Sequence, residues 1–309
     1  MVYFPPETTL NGHAITSRNM EWLLVPMNVY LDKTENGTGK SMFTRNFLIE
    51  IYPDQGYSTM AIGGMELNSV IDGLNSEGLG ISLLQDEGMD PALEMPVAGD
   101  RNSGILSFQI TRLVLETCRT VEEAKVAFLA NKEFLPVAGV HYMVYDSQGS
   151  SAIVEWNKTD GNLYFTDGNS SEPSVMTNHP LYKYSKHGLK DLSEEMNLVS
   201  YLYPYDTIKR YVTLSDIIRS HEGKFSEEDT AKVLSEVEAN TIVLGGGATS
   251  LLPINTIWNV IMDLTDRSLK MKCFLKKGPG DNAIGEETLI FTPYLAFKMN
   301  NSIMQQQGA

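Results

Sequence analysis

Cysteine is scarce in this 309-residue chain, which has only Cys118 and Cys273. Two thiols with no metal-ligand spacing around them build neither a disulfide scaffold nor a zinc site, so stability must come from a core. Cys118 falls in a helical pattern and Cys273 in a strand pattern, the ordinary settings of a structural cysteine. The five histidines (His13, His141, His179, His187, His221) are scattered, with no HxH or HxxxH pair. No metal and no cofactor are therefore expected. Positive charge is short as well: 24 Lys and Arg against 39 Asp and Glu give a net charge of −15 and a pI of about 4.8. Displacing phosphate counterions takes Lys and Arg, so nucleic acid and anionic membrane are poor partners. No apolar run reaches membrane-spanning length. The opening Met1-Val2-Tyr3-Phe4-Pro5-Pro6 has neither the basic start nor the apolar stretch of a signal peptide. Repeats, low-complexity tracts beyond Gln305 to Gln307, and Pro-, Gly- or Ser-rich linkers are also missing, so one domain over residues 1–309 is expected.

What the chain has is apolar residues in ordered patterns, 42% of the total. Val2 to Phe4 and His13 to Arg18 read as a hairpin. Phe47 to Tyr52, Tyr57 to Ile62 and Gly78 to Leu84 read as strands, the last after the turn Asn75-Ser-Glu-Gly. Ile105 to Thr117 has helical spacing. Thr120-Val-Glu-Glu starts a second helix with a capping box, which runs to about Ala130. Strands resume at Val140 to Asp146, Ser151 to Trp156 and Leu163 to Thr166. A helical block follows from Tyr205 to Asn240, with Ser226 as an N-cap. Strands close the chain at Thr256 to Asp263, Ser268 to Phe274 and Leu289 to Phe291. Helices covering stacked sheets fit this order, and so does a sandwich with helical insertions.

Four short segments carry polar residues that could do chemistry. In Ser17-Arg18-Asn19-Met20-Glu21-Trp22, Arg18 can hold an anionic nucleophile and Glu21 can hold an ammonium, or the pair can simply end a strand. Asn75-Ser-Glu-Gly-Leu79 is a turn. Met176-Thr-Asn-His-Pro180 sets an asparagine beside a proline. Tyr205 to Tyr211 opens a helix with Arg210 one turn in.

Taken in this order, the segments resemble the choloylglycine hydrolase and penicillin V acylase family. These are N-terminal-nucleophile amidases, and the likeness is close to their acyl-CoA:6-aminopenicillanic acid acyltransferase-like members. The resemblance also takes in Val140 to Asp146, Ala152-Ile-Val-Glu-Trp156 and Thr256 to Asp263, nearly the whole chain. It implies an α+β fold, the four-layer αββα sandwich. It implies hydrolysis of a linear amide, on substrates such as bile-salt conjugates, penicillin V or N-acyl amino compounds. The nucleophile would be the thiol of an N-terminal cysteine, with its own α-amine as the base.

By the same resemblance, Arg18 lies against the thiolate. Glu21, where the family has aspartate, orients the α-amine. Asn178 stabilises the oxyanion, Gln85 stands where the family has the other oxyanion-hole asparagine, and Arg210 completes the charged cluster. The four residues Arg18, Glu21, Asn178 and Arg210 are expected to converge. Residues Ala61 to Met65 and Leu23 to Tyr30 could line an apolar pocket or pack as ordinary core. A homo-oligomer is expected. The chain reads Met1-Val2-Tyr3-Phe4 where the family begins with its cysteine, which the resemblance puts about three residues ahead of Met1. The domain is then the family domain without its first few residues and would hydrolyse nothing unaided, since Cys118 and Cys273 are internal. A catalytically silent binder of acyl amides, or an acyltransferase on the same scaffold, would have the same residues. The compartment follows from the start: cytoplasmic if Met1 is the true one, periplasmic or secreted if a leader precedes it.

Overall fold

Strands buried at every position are housed in a sheet covered on both faces. In the computed structural model, Val2–Phe4 and Val140–Asp146 are such strands. The structure describes residues 1–22, 29–30, 42–43, 49–50, 56–63, 70–86, 105–131, 133–134, 139–157, 162–182, 205–238, 240–243, 253–279, 287–299 and 305–307.

The chain begins with β1 (Val2–Phe4) and β2 (Ile15–Trp22). Next come β3 (Thr59–Ile62), β4 (Asp72–Asn75) and β5 (Leu79–Gln85), then α1 (Ser107–Thr117) and α2 (Val121–Ala130). The strands β6 (Val140–Asp146), β7 (Ser151–Asn157), β8 (Asn162–Asp167) and β9 (Ser174–Val175) follow. The remainder is α3 (Tyr205–Ser220), α4 (Glu227–Ser235), β10 (Pro253–Asp263), β11 (Ser268–Pro279), β12 (Glu287–Phe291) and β13 (Leu295–Lys298). These elements form two compact units built from interleaved stretches. One holds Met1–Val25, Ser171–Thr177 and Tyr184–Ala309, the other Pro26–Ser170 and Asn178–Lys183.

The first unit contains an antiparallel sheet in the order β9, β1, β2, β10, β11, β13 and residues 305–307; residues 240–243 pair with β10, and β12 pairs with β11. In the β2–β10 register, Arg18 faces Val260 and Glu21 faces Thr256, with an irregularity between Thr256 and Trp258. A bulge of this kind bends and twists a ladder locally. The strand β9 is too short to be read from periodicity and exists only through its pairing, Val2 with Val175 and Tyr3 with Ser174.

In the second unit the sheet runs β8, β7, β6, β5, β4, β3 and residues 29–30. The apolar stripe of α1 and α2 (Ile110, Val114, Leu115, Val121, Ala124, Phe128) packs on Leu79, Ile81, Tyr142 and Val144 of this sheet. The turn asparagine proves to be a structural hub. Buried Asn75 accepts from the N–H groups of Glu77 (3.1 Å) and Leu79 (3.0 Å), while its amide donates to the carbonyls of Leu115 and Cys118 at 2.8 Å. It therefore satisfies the end of α1 as well as its own turn. Helix α1 starts two residues later than its periodicity suggests, because Ile105 and Leu106 pair in parallel with residues 133–134. At α2 the Thr120 hydroxyl accepts from Glu123 N–H (3.2 Å) as expected, but the Glu123 carboxylate reaches the N–H of Arg119 (2.6 Å). Of the strand expected at 47–52, only Ile49–Glu50 is among the described residues.

Ser226 caps α4 with a full capping box: its hydroxyl accepts from Asp229 N–H (3.1 Å), and the Asp229 carboxylate accepts from Ser226 N–H (2.8 Å). The Ser226 hydroxyl and N–H hold the Asp229 carboxyl below its usual 3.8. A depressed carboxylate stabilises above its unfolded pKa and loses that contribution as the pH falls through its folded value. Urea denaturation of S226A should show a loss of about 1 kcal/mol at pH 7. The gap to the parent should narrow below pH 3.8.

Candidate active site

The first unit surrounds one carboxylate with positive charge. The α-amine of Met1 is buried and donates to the carbonyl of Met176 at 2.9 Å, while Met176 N–H returns a bond to the Met1 carbonyl at 3.2 Å. Glu21, on the neighbouring strand β2, feels in decreasing order the charges of Arg210, that ammonium and Arg18, and accepts from the Thr256 hydroxyl at 3.3 Å. Each of these favours the carboxylate. Burial outweighs them, and the Glu21 carboxyl lies above its usual range. Arg18 is 3% exposed, with its guanidinium over the Trp258 ring at 5.3 Å and Nη2 donating to Met20 Sδ at 3.2 Å. Arg210 sits in the second turn of α3. The start of that helix is pinned where the Thr177 hydroxyl donates to the Thr207 carbonyl and the Thr207 hydroxyl donates back to Thr177, both at 3.0 Å.

The second unit brings Asn178 to Gln85: the Asn178 amide donates to the Gln85 main-chain carbonyl at 2.7 Å. Gln85 ends β5, opposite Val140. On adjacent strands of the same sheet, His141 and Glu155 are fully buried, with Nδ1 and Oε1 3.2 Å apart. Glu155 also accepts from the N–H groups of Leu181 (2.7 Å) and Tyr182 (3.0 Å), three and four residues past Asn178. Of the sequence-derived candidates, then, Arg18, Glu21 and Arg210 gather in one unit and Gln85 with Asn178 in the other. Sequence reasoning passed over the roles of Thr177, Thr207, His141 and Glu155. The available signal was a lone carboxylate in the apolar run Ala152-Ile-Val-Glu-Trp156.

The sequence profile of the acyl-coenzyme A:6-aminopenicillanic acid acyl-transferase family matches residues 30–274, more than half of the chain. The chain belongs to this family. Gln85, Asn178 and Arg210 lie within the matched span, and Arg18 and Glu21 precede it. Among solved structures, the chain is similar to penicillin V acylase from Agrobacterium tumefaciens, with a TM-score of 0.63 and 20% identity over 89% of this chain and 82% of that one. It is similar to a cysteine-to-alanine mutant of conjugated bile acid hydrolase from Clostridium perfringens, with a TM-score of 0.66 and 15% identity over 100% and 96%. An arginine-to-leucine variant of the same hydrolase gives 0.62 and 15% over 98% and 98%. At these identities the likeness shows the fold, the α+β N-terminal-nucleophile hydrolase fold that the sequence resemblance implied. No curated protein sequence matches.

For this acyl-transferase family member, the two cysteines are poor nucleophiles. Both are free thiols; Cys118 is buried in the core at the end of α1, and burial pushes both thiols up. Among the described residues, His13, Asp263 and Asp266 could approach a metal, with ligand atoms within 4.8 Å of one another. Each already has a local role: His13 Nδ1 lies 2.7 Å from Asp263, Asp263 accepts from Asp266 N–H at 2.8 Å to cap the β10–β11 turn, and Lys298 pairs with Asp266 at 3.1 Å. Of the suggested pocket walls, Ala61 and Ile62 are buried in β3, while residues 23–28 and 64–65 lie outside the described residues. No described helix is long and apolar enough to cross a membrane.

The Glu21 environment makes a signed prediction. A carboxyl whose folded pKa is raised takes up protons on folding, so it costs stability as the pH rises from its unfolded value of 4.5 through its folded value. E21Q mimics the protonated form and escapes that loss. In denaturant titrations from pH 4 to 8, the stability of E21Q relative to the parent should climb with pH. A falling difference would show that the three cations win over burial, and a flat one that the two cancel.

Proposed function

We propose that this family member is a linear-amide amidohydrolase whose nucleophile is a cysteine thiol carried just ahead of Met1. One observation carries the reading: Arg210 and Arg18 act on the carboxyl of Glu21, which lies on the strand paired with β1, the strand that an upstream cysteine would extend. An α-amine titrates near neutral pH, so a carboxylate that orients it equips it to take a thiol proton and return it to a leaving amine. Arg18 is then the cation beside the thiolate, its guanidinium set against an indole face and a thioether. Arg210 stabilises the same anion. Asn178 and Gln85 supply amide donors for the oxyanion of the tetrahedral intermediate. The raised thiols of Cys118 and Cys273 support a nucleophile elsewhere.

Substrates of the class named by the similar structures, penicillin V and conjugated bile acids, are proposed with N-acyl amino compounds as a third group. The family's own description favours a second reading: the same acyl-enzyme could pass its acyl group to an amine instead of water. In either case the working protein is proposed to be a homo-oligomer acting on a small acyl amide.

The test compares the chain starting at Met1 with one preceded by Cys-Thr-Ala, its cysteine exposed as the first residue. The extended chain should release amine from at least one member of an acyl-amide panel, and iodoacetamide should abolish that release. C118S and C273S should leave it intact. Adding an acceptor amine separates the readings, since a transferase makes new amide at the expense of free acid. Turnover by the Met1 chain that survives both cysteine replacements would defeat the proposal, as would inertness of the extended chain on the whole panel.

A further inference from the structure

Burying a carboxylate in an apolar strand is costly unless its oxygens are occupied, and both oxygens of Glu155 are. Oε1 accepts from Leu181 N–H and lies against His141 Nδ1, and Oε2 accepts from Tyr182 N–H. Neither the Glu155 nor the His141 side chain has any exposed surface. The two residues stand one step beyond the Tyr142–Val154 pair of the β6–β7 ladder, and His141 pairs on its other side with Leu84, next to Gln85. The carboxylate thus projects from a strand paired on both sides and grips two successive main-chain amides of an irregular segment.

That segment carries Asn178. In the same unit the segment is also held by the bond from the Asn178 amide to the Gln85 carbonyl, 2.7 Å long. Between the two attachments lie only His179 and Pro180, both buried. Proline fixes its own φ and confines the residue before it to extended conformations, so the bridge is short and stiff. The Tyr182 ring stacks on Tyr164 of β8 at 5.3 Å, which secures the far end. A displacement of the Leu181 and Tyr182 amides is therefore transmitted to Asn178 rather than absorbed.

We propose that Glu155, braced by His141, is the positioning residue that sets the Asn178 side chain. It touches no substrate and acts through the backbone of residues 178–182. The catalytic side of this inference rests on reading Asn178 as an oxyanion donor, whereas the mechanical side does not. An amide donor held loosely loses most of its worth in a transition state, and a misplacement near 1 Å costs up to about a hundredfold in rate.

The test uses E155Q, which keeps the size of the side chain but turns an amide NH2 toward one of the two backbone N–H groups. E155A serves as a second variant, and thermal unfolding reports whether each folds. Hydrogen exchange and the 15N side-chain amide signal of Asn178 are read first, on the chain starting at Met1. In E155Q, the Leu181 and Tyr182 amides should exchange at least tenfold faster, while those of β6 and β7 keep their protection. The Asn178 side-chain signal should shift or broaden. Unchanged exchange and an unchanged Asn178 signal would overturn the proposal whatever the activity. In the cysteine-extended chain, E155Q should lower kcat about ten- to a hundredfold with KM within about twofold. Loosened amides with an unmoved Asn178 signal and an unaltered kcat would reduce Glu155 to a structural brace and also overturn the proposal. If the extended parent is itself inactive, the failure belongs to the amidase reading, and the Asn178 signal alone decides the brace.

Discussion

The pairing of the first two residues with residues 175–176 is the constraint on which the charged cluster depends. A buried ammonium must have partners, and here its hydrogen-bond acceptor is the Met176 carbonyl, across a strand only two residues long. That short pairing sets where the first α-amine sits relative to Glu21. It also aligns the next residue, Thr177, for its reciprocal bonds with Thr207 at the start of α3, the helix that delivers Arg210. Two of the three cations acting on Glu21 are thus placed by one stretch of chain. The third, Arg18, comes from β2 itself.

The balance at Glu21 explains why such a cluster suits an anion. Three positive charges act on one carboxylate, and burial still keeps its carboxyl above the usual range. Arg18 brings its charge to the cluster from against an indole face and the Met20 thioether. A thiolate, or the oxyanion of an acyl-transfer intermediate, would meet fixed charge whose desolvation was completed during folding.

Much of the fold was legible because the chain obeys local rules. Val140–Asp146 emerged with the expected bounds, since a seven-residue β-rich run ended by Ser-Gln-Gly has one plausible reading. Thr120 and Ser226 were legible as caps because a cap is a contact over three residues. What escaped depends on partners far away in sequence. The strand β9 has no periodicity to detect and exists only because Val2 lies opposite Val175. The same holds for the site. Arg18 and Glu21 stood out by resemblance, but neither the indole under Arg18 nor the helix-borne Arg210 near Glu21 is written into the hexapeptide that contains them. Glu155 is plain within Ala152-Ile-Val-Glu-Trp156, yet the partners of its carboxylate are main-chain amides 26 and 27 residues away. Backbone donors carry no side-chain signature, so only the assembled structure gives that carboxylate a purpose.

The glutamate at position 21, where the resembling family has aspartate, is the departure that most bears on the chemistry. An extra methylene moves the carboxylate outward by about one bond length, 1.5 Å, and adds a rotatable bond whose freedom must be lost on folding. Left alone, such a change would spoil the orientation of an ammonium. The partner strand meets it. Glu21 lies opposite Thr256, whose hydroxyl donates to Oε1, and the register between β2 and β10 slips at the next step, between Thr256 and Trp258. A bulge adds local twist and re-aims the side chains around it. Trp258, just past the slip, is the residue whose ring supports Arg18. The slip therefore separates the contact that fixes the longer carboxylate from the one that holds the neighbouring cation, and lets each take its own geometry. Replacing Glu21 by aspartate would draw the carboxyl back from the Thr256 hydroxyl that now donates to it.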